Sequence, residues 1–579
     1  MRQGIRAGWC LALWLLVAAV AARADTVDVK IEGIGGDVLQ NARGYVSLVQ
    51  ASGGQVSAAR IRSLFALGPG QIKQSLQPFG YYQVQVSSRL THKDSHWTAH
   101  YDVRPGEPAT VGAVDIALKG AGAGDSHLQA ARRAFPLRSG EQLDHRKYES
   151  GKSRLLQRAY DRGYLDAHYT RSRLVVDVPE RRARIELTLD TGPRYRFGKL
   201  RLHQNVLTPK LVRAFARFKP GDYYDNRELL NFQYALDDSE YFSHVQVQPD
   251  RKDAHDRRVP IDVYLEGRRP QKYTLGLGYG TDTGPRLILG FENRRINRYG
   301  HRASANLLLS PVIKSLQGRY LIPIYNPATD NVAFGFGIQR DTPQDRESLI
   351  RTLSVSQNRT FGMWQRTYKL SYQRENYRLA GGPEQQSTLV LPELYVVYTR
   401  ADNPVYTRRG LRATLDVRGA DRHLGSDNTF LQVLFTTKAI LPVGPRGRLI
   451  LRGEGGTSYV QQFSDLPLSE RFFAGGDRSV RGYGYQSLGP RNASGTVVGG
   501  RNIVTGSVEY DHRIIGNWGA AVFYDAGNAF DGTRLNLAKA AGVGLRWNTP
   551  VGPLRIDLAH TVGYRSPHYR LHVTLGPDL

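Results

Sequence analysis

Cysteine is nearly missing from this sequence: 579 residues hold one, Cys10, inside an N-terminal apolar run. If that run is removed, no disulfide and no thiol chemistry remain. Long hydrophobic stretches are scarce as well. After residue 24 none is long enough for a membrane helix, and the mean hydropathy is −0.43. That absence does not exclude a membrane protein, because a transmembrane barrel hides its apolar face in alternation. The sequence has no G-x-S-x-G, no H-E-x-x-H and no paired-histidine site with supporting ligands. A non-enzymatic protein without cofactor or metal is therefore expected. Acidic residues are also in short supply, with 52 against 79 Lys and Arg.

Residues 1–24 read as a secretory signal peptide. Arg2 and Arg6 precede an apolar run from Trp9 to Ala22, and Ala22-Arg23-Ala24 forms an A-x-A-type cleavage site. The run is shorter than the roughly 20 residues of a helical span. Cleavage before Asp25 removes three arginines and no acids, so the net charge falls from +27 to +24. In an exported bacterial protein such a charge suits lipid phosphates, not nucleic acid.

Three similar units fill 25–267. Each has a basic helical segment, an aromatic hinge with a strand, and a second strand ending in a Gly-containing turn. The hinges carry Tyr81, Tyr164 and Tyr241 at a near-constant spacing. The turns Arg104-Pro105-Gly106, Thr191-Gly192-Pro193 and Glu266-Gly267-Arg268 keep the same phase. Each unit therefore reads β-α-α-β-β over a domain-sized length, with boundaries 25–104, 105–192 and 193–267. Exposed edges of such sheets suit partner binding by strand addition. Two motifs here are discounted. Gly151-Lys152-Ser153 lacks the first glycine of a phosphate loop, since Arg146 stands there. His92, His96 and His100 have helical spacing in a segment that reads as strand, so they do not converge on a metal.

From 268 to 579 the texture changes to short alternating segments between Gly/Asn/Asp/Pro turns. They divide into about sixteen strands, an even number within the range of outer-membrane barrels. Tyrosines near many strand ends resemble the interfacial girdles of such barrels. One irregular insertion, 457–501, interrupts the pattern, and its stretch 470–491 is rich in glycine, arginine and aromatics. A long insertion of this kind is functional or disordered, and the aromatics argue against disorder. Strand phase on its far side places Glu509 and Asp525 inward on consecutive strands. Arg555 and Asp557 also point inward, and Leu571, Val573 and Leu575 outward. The loop is expected to fold into the lumen, where Arg481 bridges Glu509 and Asp525.

Val480-Arg481-Gly482-Tyr483 resembles the VRGF/Y motif of the BamA/TamA-type outer-membrane insertase and two-partner-secretion transporter superfamily. Gly506-x-x-Glu509 and Phe523-x-Asp525-x-Gly527 resemble its next two strand motifs. The resemblance implies periplasmic POTRA domains followed by a sixteen-stranded antiparallel transmembrane β-barrel in the outer membrane. Three units, the chain length and the ending 575–579 are most similar to the TamA branch, the translocation and assembly module. That implies assembly of clients such as autotransporters beside outer-membrane lipids, with a TamB-like periplasm-spanning partner. It also implies a lateral seam between the first and last strands. Tyr273, Leu275, Leu277 and Tyr279 lie on one side of this seam, and Tyr569, Leu571, Val573, Leu575 and Gly576 on the other. Pro577 lacks a ladder donor and would weaken it. A dedicated transport pore and phospholipid transport are the alternatives.

Overall fold

A computed structural model describes residues 25–343, 346–550, 552–563, 568–576 and 578. The expected signal peptide with Cys10, and Pro577, lie outside the described residues.

The first unit comprises β1 (Thr26–Glu32), α1 (Gly36–Tyr45), α2 (Ser47–Ala51), α3 (Ala58–Leu76), β2 (Gln85–Lys93) and β3 (His96–Arg104). The second has β4 (Thr110–Lys119), α4 (Ser126–Arg133), α5 (His145–Asp161), β5 (His168–Asp177) and β6 (Arg182–Asp190). The third has β7 (Arg196–His203), α6 (Pro209–Ala214), α7 (Asn226–Asp237), β8 (Phe242–Pro249) and β9 (Arg258–Gly267). The expected order recurs, with a short extra helix, α2, in the first. In each sheet the last strand lies in the middle: β1-β3-β2, β4-β6-β5 and β7-β9-β8. Alternation explains why. Trp97, Ala99, Tyr101 and Val103 bury one face of β3 against Ile61, Ile72 and Leu76 of α3.

Gly151-Lys152-Ser153 lies within α5, and a Cβ on Gly151 would stand 2.5 Å from the Phe135 ring. Its glycine serves close packing. His96 bonds Thr26 at 2.9 Å, His100 pairs with Glu32 at 3.1 Å, and His92 lies against the Trp97 ring.

The chain divides into two compact bodies. One holds the described residues to Gly198 with Pro220–Arg227 and Arg251–Val259; the other holds Lys199–Lys219, Glu228–Asp250 and the chain from Pro260. Within the first, Arg162 reaches Asp225 at 3.0 Å and Asp125 at 3.4 Å.

The second body contains a barrel. Its strands begin with β10 (Gln271–Gly280), β11 (Gly284–Asn293), β12 (Arg302–Leu309), β13 (Ile313–Pro323) and β14 (Asp330–Asp341). There follow β15 (Arg346–Phe361), β16 (Trp364–Leu379), β17 (Gln385–Ala401), β18 (Gly410–Ala420), β19 (Phe430–Val443) and β20 (Gly447–Val460). The last five are β21 (Asn502–Ile515), β22 (Trp518–Phe530), β23 (Ala538–Thr549), β24 (Gly552–Val562) and β25 (Tyr569–Leu575). Among the described residues these sixteen form one antiparallel sheet in sequence order, a nearly closed barrel with β10 and β25 at its ends.

Outward positions carry exposed apolar side chains, such as Phe334, Phe336 and Ile338 on β14 and Val522 and Tyr524 on β22. At the end with the short turns 362–363 and 516–517, Trp364 lies against Tyr398 and Trp518 stacks on Trp547, forming part of an aromatic girdle. Inward positions are polar and buried: Thr505, Ser507, Glu509 and Asp511 on β21 alternate with the outward Val504 and Val508. The long insertion begins at 461, four residues later than expected, because β20 keeps pairing with β19 as far as Val460.

Candidate functional site: a charged cluster inside the barrel

The insertion between β20 and β21 turns inward and is anchored on the far wall first. Glu375 on β16 accepts the Ser469 N–H at 3.3 Å, and Gln432 on β19 donates to the Glu470 carbonyl at 2.8 Å. Phe472 and Ala474 pack with Ile503 and Ala529, an apolar footing on β21 and β22. Arg471 holds the loop to itself by donating to the carbonyls of Leu466, Ser464 and Val498 at 2.6, 2.9 and 3.1 Å.

The tip then delivers Arg481, only 3% exposed. Asp525 takes its backbone N–H at 3.1 Å, its Nε at 2.7 Å and one Nη at 2.9 Å. Glu509 takes the other Nη at 2.8 Å, and Asp557 takes that same nitrogen at 3.0 Å. Ser507 accepts at 3.2 Å. The guanidinium carbon lies 3.4 Å from the Phe523 ring centroid, a cation–π contact in a closed setting. A lysine could not supply this planar fork of donors.

The expected bridge to Glu509 and Asp525 is thus present, and the third carboxylate, Asp557, extends it to β24. A second arginine, Arg546 on β23, is also buried and bonds both Glu509 and Asp557. Arg452 on β20 stands 3.7 Å from Asp525. Three carboxylates thus face three guanidiniums, so the cluster is close to neutral. That is the condition under which charges can be buried at tolerable cost.

The motif positions divide between roles. Val480 is fully buried. Gly482 has φ +92° and lies against the wall, where a Cβ would come within 3.3 Å of Ala540 and 3.4 Å of Thr561. Tyr483 donates its hydroxyl to the Lys539 carbonyl at 3.3 Å. Gly527 faces inward, and a Cβ there would collide with the β21 backbone at 2.7 Å. Gly506 instead sits on the outward phase of β21, away from the charges.

Beside the cluster the same loop meets both ends of the sheet. The Gly482 N–H donates to His572 Nε2 on β25 at 2.9 Å. An accepting Nε2 in a neutral ring puts the proton on Nδ1, which then donates to Asp477 of the loop. Asp477 in turn donates its backbone N–H to Asp282 at 2.7 Å, in the turn after β10. Arg570 of β25 lies 3.3 Å from Asp282, and the Val573 N–H donates to Thr281 Oγ1 at 3.2 Å. Asp282, Asp477 and His572 have potential metal-ligand geometry. Both imidazole nitrogens are already engaged, however, and a guanidinium stands beside Asp282, so the trio reads as a hydrogen-bond relay. Among the described residues no backbone ladder joins β10 to β25. The seam residues Tyr273, Leu275, Leu277, Tyr279, Tyr569, Leu571 and Leu575 are all exposed on the outside, whereas Val573 and Gly576 are half-buried. A cavity of about 1050 Å³ lies inside the lumen, lined by Asp282, Asp477, Arg481, His572 and Asp578 among others.

The barrel, its loop and the three units match a known plan. The model of the Omp85 superfamily domain matches residues 268–577, more than half of the chain. The chain belongs to the Omp85 superfamily. Residues 28–105 match the model described as POTRA domain TamA domain 1. This Omp85 protein is 24% identical over 383 residues to outer membrane protein assembly factor BamA of Nitratidesulfovibrio vulgaris, covering 62% of this chain and 47% of that relative. It therefore spans about half the length of the curated relative it matches. Its fold is similar to BamA of Haemophilus ducreyi lacking POTRA domains 1–3, with a TM-score of 0.68 at 16% identity, covering 81% of this chain and 99% of that one. CdiB from Acinetobacter baumannii is also similar, with a TM-score of 0.47 at 14% identity, over 94% and 99% of the two chains. POTRA-like units followed by a nearly closed barrel are thus the Omp85 arrangement.

Proposed function

We propose that this Omp85 protein is an outer-membrane insertase that assembles β-barrel clients such as autotransporters through the seam between β10 and β25. The observation that carries this reading is that among the described residues no backbone ladder joins those strands, which meet through the Arg570–Asp282 pair and the Val573 N–H on Thr281 Oγ1. Unpaired strand edges are templates for another strand. The exterior apolar belt suits lipid, and the three POTRA-like units would lie in the periplasm, where the first would meet a TamB-like periplasm-spanning partner. The charged loop is bonded to β16 and β19 at one end and to β21, β22 and β24 at its tip, so it crosses the lumen, and client traffic at the seam fits better than traffic through the pore.

Thr281 and Val573 are in contact across the seam. A Thr281→Cys, Val573→Cys pair should form a disulfide and stop autotransporter assembly in cells until a reductant is added. Full assembly by the oxidised protein would sink the proposal. Cross-linking from the first unit in cells, with identification of the product, tests the partner.

A further inference from the structure

Asp578 lies beyond the last strand, yet its side chain is fully enclosed. Its carboxylate accepts from Arg448 and Arg555 and from the Thr407 N–H at 3.1 Å, and its carbonyl accepts from Lys438. These groups come from β20, β24, the turn before β18, and β19. Arg448 is 1% exposed and already has a counter-charge, because Asp511 takes its Nε at 2.9 Å and one Nη at 2.7 Å. Arg448 is further fixed by the Thr407 carbonyl at 2.7 Å and by the Tyr406 ring at 4.0 Å.

The balance at this spot depends on one residue. Asp511 neutralises Arg448, but among the described residues Asp578 is the one hydrogen-bonded anion of Arg555, and its backbone carbonyl takes Lys438 Nζ. Without the Asp578 carboxylate two guanidiniums would share an interior site with one anion, an arrangement that draws in another. The fit is for a carboxylate: a guanidinium on each oxygen and a backbone N–H, with Lys438 on the adjoining carbonyl. The site also sits where β24 would present its edge if β25 left, since Leu554 to His560 of β24 pair with Tyr569 to Leu575 of β25. A replacement strand in that place would bring its end to these cations.

We propose that the pocket formed by Arg448, Arg555 and the Thr407 N–H, with Lys438 on the adjoining carbonyl, is a carboxylate-binding site for the end of an extended polypeptide, occupied in cis by Asp578 while β25 is in place. The role in client handling rests on the seam reading above; the binding itself does not.

The test uses the purified full chain in detergent and a fluorescent ten-residue peptide, Tyr-Arg-Leu-His-Val-Thr-Leu-Gly-Pro-Asp, that copies 569–578. In Asp578→Asn protein the site is left without its anion. The amidated Asp peptide should bind that variant about tenfold tighter than it binds the unaltered chain. An amidated peptide ending in Asn should bind about tenfold more weakly, and one ending in Asn with a free α-carboxylate should recover the loss. Recovery by the α-carboxylate assigns the site to chain ends; recovery by the Asp side chain alone assigns it to acidic residues. Arg555→Gln in the same variant should weaken each acidic peptide, whereas Lys438→Gln, whose partner is the carbonyl, should weaken all of them alike. A second measurement leaves Asp578 intact: in Thr574→Cys protein, the Asp peptide should raise maleimide labelling and the amidated Asn peptide should not. Equal binding of Asp and amidated Asn peptides, or equal binding to the variant and the unaltered chain, overturns the proposal. It would leave the disulfide result at the seam untouched.

Discussion

The backbone N–H of Gly482 donates to Nε2 of His572, so the residue after the buried Arg481 holds the last strand of the barrel. One turn of chain thus serves two duties. Arg481 ties β21, β22 and β24 together, while its neighbours Asp477 and Gly482 reach β25 and the turn after β10.

His572→Ala should therefore loosen β25 without unfolding the barrel. The change leaves the Gly482 N–H and the Asp477 carboxylate short of a partner, at about 1–3 kcal/mol for each buried group. Amide exchange should rise along β25 while β21 and β22 stay protected. Equal loss of protection in all three strands would mean that His572 supports the whole wall.

Arg481→Ala should be much more harmful, because Glu509, Asp525 and Asp557 lose a shared cation at once. Removing one member of a buried ionic group costs about 3–5 kcal/mol. Arg481→Lys should recover less than half of that loss, since one ammonium cannot reproduce the planar fork over the Phe523 ring. Protease cleavage within 461–501 and the temperature at which the barrel unfolds on a gel would rank the three proteins.

Gly482→Ala carries two separable penalties. The Cβ meets Ala540 and Thr561, and φ is +92°, where a side chain is strained. Together they should cost about 1–3 kcal/mol. Adding Ala540→Gly removes part of the crowding but none of the backbone strain, so thermal stability should recover in part. Full recovery would show that crowding alone matters.

The first body contains an acid-sensitive clamp. Burial opposes ionisation of Asp125, but the His127 N–H and the Arg162 charge outweigh it and hold its carboxyl below the usual range. At Asp225 burial is likewise outweighed by the Arg227 side chain and N–H, then by the charge of Arg162. A carboxyl lowered by folding stabilises the fold above its unfolded pKa and ceases to do so as the pH falls through the lowered value. Protection of α4 and α5 from amide exchange should begin to decline as the pH drops below about 4. Arg162→Ala should cost about 2 kcal/mol at neutral pH and make that decline shallower.

Much of this site could be read by counting along strands. Alternation pointed Glu509, Asp525 and Asp557 inward because the apolar outer face leaves no doubt about which side is which. The sequence also placed an arginine in the facing loop. It could not show that Asp557 joins the same guanidinium, since β24 is two strands beyond β22 and only barrel curvature brings it close. His572 falls between the outward Leu571 and Val573, so its inward phase was legible, but its partner Asp477 was not. A residue in an irregular loop has no period from which its position can be inferred. Gly506, three residues before Glu509 in the same motif, falls on the opposite, outward phase. The POTRA-like units were legible for a different reason, since three copies in one phase reinforce each other while a single copy would not.

The three carbonyls bound by Arg471 all belong to the insertion it sits in. Those bonds do not depend on where the tip points. If Arg481 lets go of the wall, this part of the loop keeps its shape and its seat, because Ser469, Glu470, Phe472 and Ala474 stay held by β16, β19, β21 and β22, and only the tip beyond them is freed. The tip then returns to its carboxylates from a fixed base, with no need to refold the rest of the insertion.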